Sequence, residues 1–518
     1  MLVDPYYKEI KNNLPRILSF YDFDKTSKTF GLGDRYHWAW GLIDFSNATY
    51  QGAVNGMAKL WIKGLWPYPT KKEDFTDKVF SIGMGVKKLL NREGMLSEAF
   101  PREGSYCVTA LLAFDLLCSY RLLNKQFNKN QKKEWLLIIE KLVNIILRTE
   151  EEHAFISNHL ATAAAALYRW YQISKDKKAK TKSYQLIKKI IFFQSSEGWY
   201  KEYEGFDPGY QTLCTYYLVD FLRNSDDIYL LDSLKKSINF LWHFAHPDGS
   251  FGGIYGSRNT RFYFPSGISY LANISPQASA LSNYMRESIH QKKVITLSSL
   301  DESNLIPMFN CYCDNLMVSE DYTEKNLDEF KLPMQSNKSK RIYFKESGLI
   351  IDNTKHNYTI INVFKGGVVY HFNKNKKSLI DCGVAFKNKL NQIGTSQSFS
   401  KENSLVIENN QVSITCRISA CTKKTPTVFQ FILIRFLSLS IFRIRFLREY
   451  TKKLLVKLLI TGKSNWPITN TRKIFFGKNI KIIDNSNEKY GYKKVFKLGE
   501  VVNIHMARKG YWPIKDEY

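Results

Sequence analysis

The chain has 518 residues, 44% hydrophobic and 24% charged, which excludes wholesale disorder and, at roughly 150 residues per domain, implies more than one core. Lys and Arg total 75 against 48 Asp and Glu, a formal net charge of +27, and aromatic residues reach 14%. A positive field of that size favours anionic partners (nucleic acid, anionic lipid or an acidic polymer), and abundant rings suit stacking surfaces such as those that hold sugars.

In chain order, residues 1–20 contain no apolar run long enough for the core of a signal peptide, so a cytoplasmic site of action is expected. From about 45 to 290, apolar residues recur at three- and four-residue steps. They predict helices over 51–61, 76–90, 106–122, 132–147, 158–173, 183–193, 210–222, 233–244 and 276–290. Gly94, Gly198 and Gly249 punctuate gaps between them. Helical hairpins stacked at this spacing form a solenoid or an α/α toroid, here expected over 1–295 as an incomplete ring. Residues 296–340 read as a linker and first strand region. From 341 to 518, short β-branched and aromatic runs bounded by turn residues predict an antiparallel β-sandwich. The expected fold class is therefore multidomain α + β, a toroid followed by a sandwich. Eight Cys are scattered without a CxxC pair, which reads as buried thiols and offers no metal site.

The window 428–463 fits neither half. It is strongly apolar, yet carries eight basic residues against Glu449 alone, and no uncharged stretch of about 20 residues survives to form a spanning helix. Two readings stand. One is a cationic amphipathic helix in the headgroup plane of an anionic membrane, touching it through Arg443, Arg445, Arg448, Lys452, Lys453 and Lys457, so that the protein is peripheral on the inner membrane. The other is a strand followed by a helix packed on the sheet, its charges solvated.

Polar clusters at 100–106, 157–159, 199–210 and 248–261 interrupt the helical half. In a ring of hairpins, the helix ends on one face can bring such clusters together. The runs NHLATAAAAL, EYEGFDPGYQTL and DGSFGGIYGSRNTRFYFPSG together resemble the heparinase II/III-like polysaccharide lyases, most closely the members associated with bacterial surface-polysaccharide genes. The resemblance covers most of the chain and is strongest over about 100–270. It implies the same order of toroid and sandwich. It also implies β-elimination at a uronic acid: a base removes the carbon-5 proton while the neighbouring carboxylate is neutralised and an acid assists the leaving oxygen.

By this resemblance Asn158 and His159 match the carboxylate-neutralising pair, and Tyr210 matches the catalytic Tyr. Arg258 and Arg261 would hold a substrate carboxylate. Arg102, Glu103 and Tyr106 could line the cleft, and Trp199 and Tyr203 could stack on sugar faces. Each also has a plain reading: Asn158 as a helix N-cap, His159 as a first-turn surface residue, Tyr210 as a core aromatic, the two Arg as salt-bridged loop residues. Active members of the family carry a His-rich sequence on an early sandwich strand. Here 364–373 contains His371 alone, so His371 is the candidate for a sandwich contribution. The expected partner is an acidic polysaccharide or oligosaccharide, with no cofactor and no metal. Alternatives are a uronyl carbon-5 epimerase, or a non-catalytic glycan-binding scaffold in surface-polysaccharide biosynthesis at the membrane. Nucleic acid has only the charge in its favour, since no zinc-finger, helix-turn-helix or RNP pattern occurs.

Overall fold

A computed structural model describes residues 4–151, 154–203, 205–225, 227–318, 330–374, 378–421, 427–456, 464–477, 479–487, 489–495 and 499–500, the side chains of 455 and 456 aside. The helical half comprises α1 (Pro5–Leu18), α2 (Arg35–Trp38), α3 (Val54–Ile62), α4 (Lys72–Leu89), α5 (Tyr106–Leu123), α6 (Lys129–Arg148) and α7 (Ser157–Ser174). It continues with α8 (Lys177–Phe192), α9 (Pro208–Ser225), α10 (Ile228–Leu241), α11 (Ser266–Leu271), α12 (Pro276–His290) and α13 (Glu302–Val318).

Two kinds of helix alternate. α6 buries Trp135, Ile138, Ile139, Leu142, Val143 and Ile146 at three- and four-residue steps and exposes Lys133 and Glu140, the pattern of an outer stave with one apolar stripe. α7 instead is buried continuously from Ser157 to Tyr168. Its run of alanines lets neighbouring backbones approach closely at little cost in helix propensity. The inner helices α3, α5, α7, α9, α11 and α13 each touch the next, and α13 returns to α3. The ring is thus closed.

This differs from the expected incomplete ring over 1–295, because the closing stave lies in the stretch read as linker. α13 hides its helical period behind Pro307 and three buried polar residues. Those residues form the seam. Asn310 accepts from Gly56 N (2.9 Å) and donates to Gly52 O (2.9 Å) and Asp115 Oδ1 (3.1 Å). Asp314 pairs with Lys59 at 2.7 Å. The third, Asn315, is buried alongside them. Buried polar groups need such partners.

The sandwich has two antiparallel sheets. The first is a five-strand meander: β1 (Lys340–Phe344), β2 (Leu349–Asn353), β3 (Asn357–Asn362), β4 (Val368–Asn373) and β5 (Leu379–Asp381). The second runs in the order β11-β10-β9-β7-β6-β12, with β8 on β9. Its strands are β6 (Ala385–Asn388), β7 (Ile393–Thr395), β8 (Ser404–Ile407), β9 (Gln411–Ala420), β10 (Asn465–Phe475), β11 (Lys481–Ser486) and β12 (Tyr492–Val495). Side chains alternate faces along a strand, so the meander presents Ile351, Ile360, Val368 and Tyr370 to the toroid core. It presents Ile350, Ile361 and Val369 to Val412, Ile414 and Ile474 of the second sheet. Arg472 of β10 ties the sheets together: buried, it donates to Asp484, Asp381 and Gly367 O. Toroid and meander are joined by Glu197, whose carboxylate accepts from Glu346 N (2.6 Å) and Ser347 N (3.0 Å), and by Tyr358, which donates to His243 O at 2.7 Å.

Between β9 and β10 lies a helical hairpin, α14 (Val428–Leu439) and α15 (Arg445–Val456). It packs on the toroid, at the loop 93–104, and not on the sheet. Arg448 has 1% of its side chain exposed and pairs bidentately with Glu93 (2.7 and 3.0 Å). Lys452 donates to Gly104 O, Arg102 donates to Ser438 O, and Phe442 packs on Phe100. Arg448 and Lys452 therefore face the protein, correcting their reading as membrane contacts. Arg443 and Lys453 are exposed and Arg445 is half-buried; Lys457 lies outside the described residues. Among the described residues one helix, α5, is long and apolar enough to cross a membrane, and it is largely buried in the ring.

Candidate active site

Alternate helices in a ring of hairpins run in the same direction, so the N-termini of α5, α7 and α9 lie at one end of the toroid. What occupies that end follows from their unpaired first-turn N–H groups. Asn158 is the second residue of α7, not its cap. Its backbone N–H donates to Glu202 Oε1 (3.0 Å), and its amide donates to both Glu202 oxygens (2.9 and 2.8 Å). A carboxylate at a helix N-terminus is favoured by the dipole. Arg258 completes the set, donating to Glu202 Oε2 at 2.7 Å. Burial raises the pKa of Glu202, with Arg258 and Asn158 acting against it.

Arg258 also lies 3.5 Å from Asp207, which accepts from Tyr210 N (2.9 Å), from Arg258 N (3.2 Å) and from the Thr260 hydroxyl. Its guanidinium carbon sits 3.5 Å from the centroid of the Tyr210 ring and 5.2 Å from that of Tyr203, a cation held between two π faces. Burial pushes both phenols up, and Arg258 is the largest influence pulling them down. Tyr203 reaches its place through a left-handed backbone, φ 58°.

His159, on the first turn of α7, has Nδ1 at 2.7 and 2.9 Å from the two Glu151 oxygens. Burial works against a charged ring, but the neighbouring Cys107 and Glu151 outweigh it and raise its pKa well above the ordinary value. Glu98, within electrostatic reach of His159 and of Tyr210, is raised to about 7 by burial first and then by Glu103 and Glu151. Glu103 is held by N–H donation from Glu98 (2.9 Å) and Ala99 (2.8 Å).

The structure thus brings together His159, Tyr203, Tyr210 and Arg258, with Asn158 beneath them. Asn158 and Arg258 are engaged with protein carboxylates, as is Arg261, which pairs with Glu500 and donates to Tyr370 Oη at 3.0 Å. Their reading as direct ligands of a substrate carboxylate is corrected to that of positioning groups. Trp199 is buried against Phe206 and donates to Glu197 (3.1 Å), so it belongs to the joint between domains and not to a stacking surface. Tyr106 is likewise buried, and Arg102 is turned to the hairpin. Strand alternation puts His371 on the face away from the toroid, where Nδ1 lies 2.9 Å from Thr359 Oγ1. Its neighbour Tyr370 points toward the ring, with its hydroxyl accepting from Ile254 N at 3.3 Å. Sequence reasoning did not single out Glu98, Cys107, Glu151, Glu202, Asp207 or Tyr370. Glu202 and Asp207 stood within the quoted EYEGFDPGY run, where acids flanking glycine before a helix were the available signal.

No family model matches the sequence, and none of the curated proteins does. Among solved structures the chain is similar to a xanthan lyase from Paenibacillus, at 9% identity and a TM-score of 0.48, over 81% of this chain and 46% of that one. The chain thus spans about half the length of that enzyme. It is also similar to a sugar epimerase from a ruminal bacterium, at 11% identity and 0.43 over 62% and 100%. A third likeness is to cellobiose 2-epimerase from Bacillus thermoamylovorans, at 11% and 0.41 over 60% and 98%.

Proposed function

We propose that the protein is a glycan-acting enzyme that removes the carbon-5 proton of a uronate residue and eliminates the group at carbon 4. The observation that carries this reading is His159, fixed by Glu151, in electrostatic reach of a pair of phenols stacked about Arg258. As the imidazolium, His159 neutralises the substrate carboxylate, which acidifies the adjacent C–H bond and stabilises the enediolate. Glu98, poised near neutrality, accepts the proton. Tyr210, held as the neutral phenol by burial, delivers a proton to the departing oxygen. Asn158, Glu202, Asp207 and Arg258 fix these groups in place.

The test is the ultraviolet absorbance of an unsaturated uronate, followed across a panel of uronate polymers. Tyr210→Phe should lower the rate by about 10²- to 10⁴-fold, the size of a lost proton-transfer group. Absence of the signal from every polymer, with parent and variant alike, overturns the reading. Deuterium uptake from solvent without chain cleavage would instead mark an epimerase.

A second reading rests on the adjacency of Glu98 and Glu103. A carboxyl group kept protonated near neutrality beside a second carboxylate is also the pairing used in glycoside hydrolysis. New reducing ends without unsaturation would identify it.

A further inference from the structure

The hairpin α14–α15 leaves an apolar surface that stays exposed among the described residues. On α14, Phe429 is 73% exposed, and Ile432, Phe436 and Leu439 are also exposed; on α15, Phe446 is 77% exposed. The first half of α14 is exposed on every side: Val428 and Phe431 are exposed as well as Phe429 and Ile432. A protein groove takes one stripe of a helix, at three- and four-residue spacing. A helix apolar around its circumference suits a medium that surrounds it.

The charges point the same way. The only acid of the hairpin, Glu449, lies against Arg448 and Lys452 on the docked side. Arg443 and Lys453 stand exposed beside the apolar side chains. A second, independent part of the chain extends the patch. Arg435 of α14 pairs with Asp44 at 2.9 Å, tying the hairpin to the loop after α2, whose Trp40 is 66% exposed and whose Leu42 is exposed too, as is Tyr36 of α2. Trp and Tyr with one apolar and one polar end are the residues that settle at the boundary of a bilayer.

We propose that this patch inserts into one leaflet of an anionic lipid bilayer, with α14 immersed to the acyl boundary and Arg443 and Lys453 among the headgroups. An embedded apolar face beside lysine and arginine is how interfacial helices hold to anionic membranes. The proposal stands independently of the reaction proposed above. It bears on it: the loop 93–104 that Arg448 and Lys452 grip also carries Glu98 and Glu103, so a hairpin seated in a membrane would hold the active end near glycans borne at its surface.

The experiment is flotation of the full chain with vesicles of phosphatidylcholine, with or without phosphatidylserine. In this assay aggregated protein stays at the bottom and only lipid-bound protein rises. The wild type should float with the mixed vesicles at low salt, and less with phosphatidylcholine alone. The triple variant Phe429→Ser, Ile432→Ser, Phe436→Ser should lose at least tenfold of the bound fraction with an unchanged melting temperature, because the three side chains are exposed. The pair Arg443→Gln, Lys453→Gln should abolish the preference for phosphatidylserine. Brominated lipid should quench wild-type tryptophan fluorescence, and Trp40→Phe should reduce that quenching. A wild type that stays at the bottom with both vesicles overturns the proposal. So does a wild-type dimer that the triple variant turns into a monomer without any change in flotation, which would assign the patch to a second copy of the chain.

Discussion

Glu202 has no exposed surface and meets a guanidinium, an amide and a helix N-terminus at once. Its replacement by Gln would leave Arg258 short of a charge partner in a buried place. Removing one member of such a pair costs about 3–5 kcal/mol, so urea unfolding of Glu202→Gln should show a loss on that scale. Glu98 makes the chemistry sensitive to pH. If it is the base, the elimination rate should rise with pH through about 7, where its carboxyl ionises, and Glu98→Gln should flatten that limb of the profile. A rate that falls through the same range would make Glu98 an acid and favour hydrolysis. Residue by residue, the sequence displayed Asn158, His159 and Tyr210 because each opens a helix after a polar loop. Their partners were not legible: Glu202 meets Asn158 across 44 positions and Arg258 meets Glu202 across 56. Nothing local marks such a meeting.

The outer helices were legible as elements, because one apolar stripe and one wet face produce a clear period. α13 was not, because it closes the ring with Asn310 and Asp314 and so carries polar residues on its buried face. The meander strands read as continuous apolar runs, since one face packs on the toroid and the other on the second sheet. Alternation alone left the face of His371 open; the register of β3 with β4 places it opposite Thr359 and turns Tyr370 to the ring. The window 428–463 announced cationic and apolar helix, but not which cations face inward. Arg448 lies under the loop at Glu93, a meeting across 355 positions. Glu93→Ala should loosen the hairpin. Trypsin cleavage at Arg443, Arg445 and Lys453 should then accelerate on the order of tenfold, as about 1.4 kcal/mol of lost docking implies.

For the molecule as a whole, the ring core contains a titrating group far from the site. Asp115 accepts from Asn55 (2.8 Å) and Asn310 (3.1 Å), and burial raises its pKa from 3.8 to about 7. A carboxyl raised on folding binds its proton more tightly in the native state. Its contribution to stability is complete below pH 3.8 and disappears as pH rises through about 7. At 1.36 kcal/mol per pKa unit, the difference in stability between wild type and Asp115→Asn should shift by on the order of 4 kcal/mol across that window. Subtracting the two urea profiles removes the opposing titration of buried histidines such as His243 and His246, which burial lowers to about 3 and about 4.

The seam that α13 makes with α3 and with the turn before it joins positions 254 and 258 residues apart in sequence. On a ribosome adding about 5–20 residues per second, the first inner helix waits roughly 10–50 s for the stave that covers it. Contacts of such long sequence separation slow folding and leave apolar surface open meanwhile. The nascent toroid is therefore an open arc for most of its synthesis, the state in which a chaperone would be needed. A neighbouring copy's α13 could enter the same gap, and an exchanged dimer sealed at Gly56 and Asn310 is the misassembly this architecture invites.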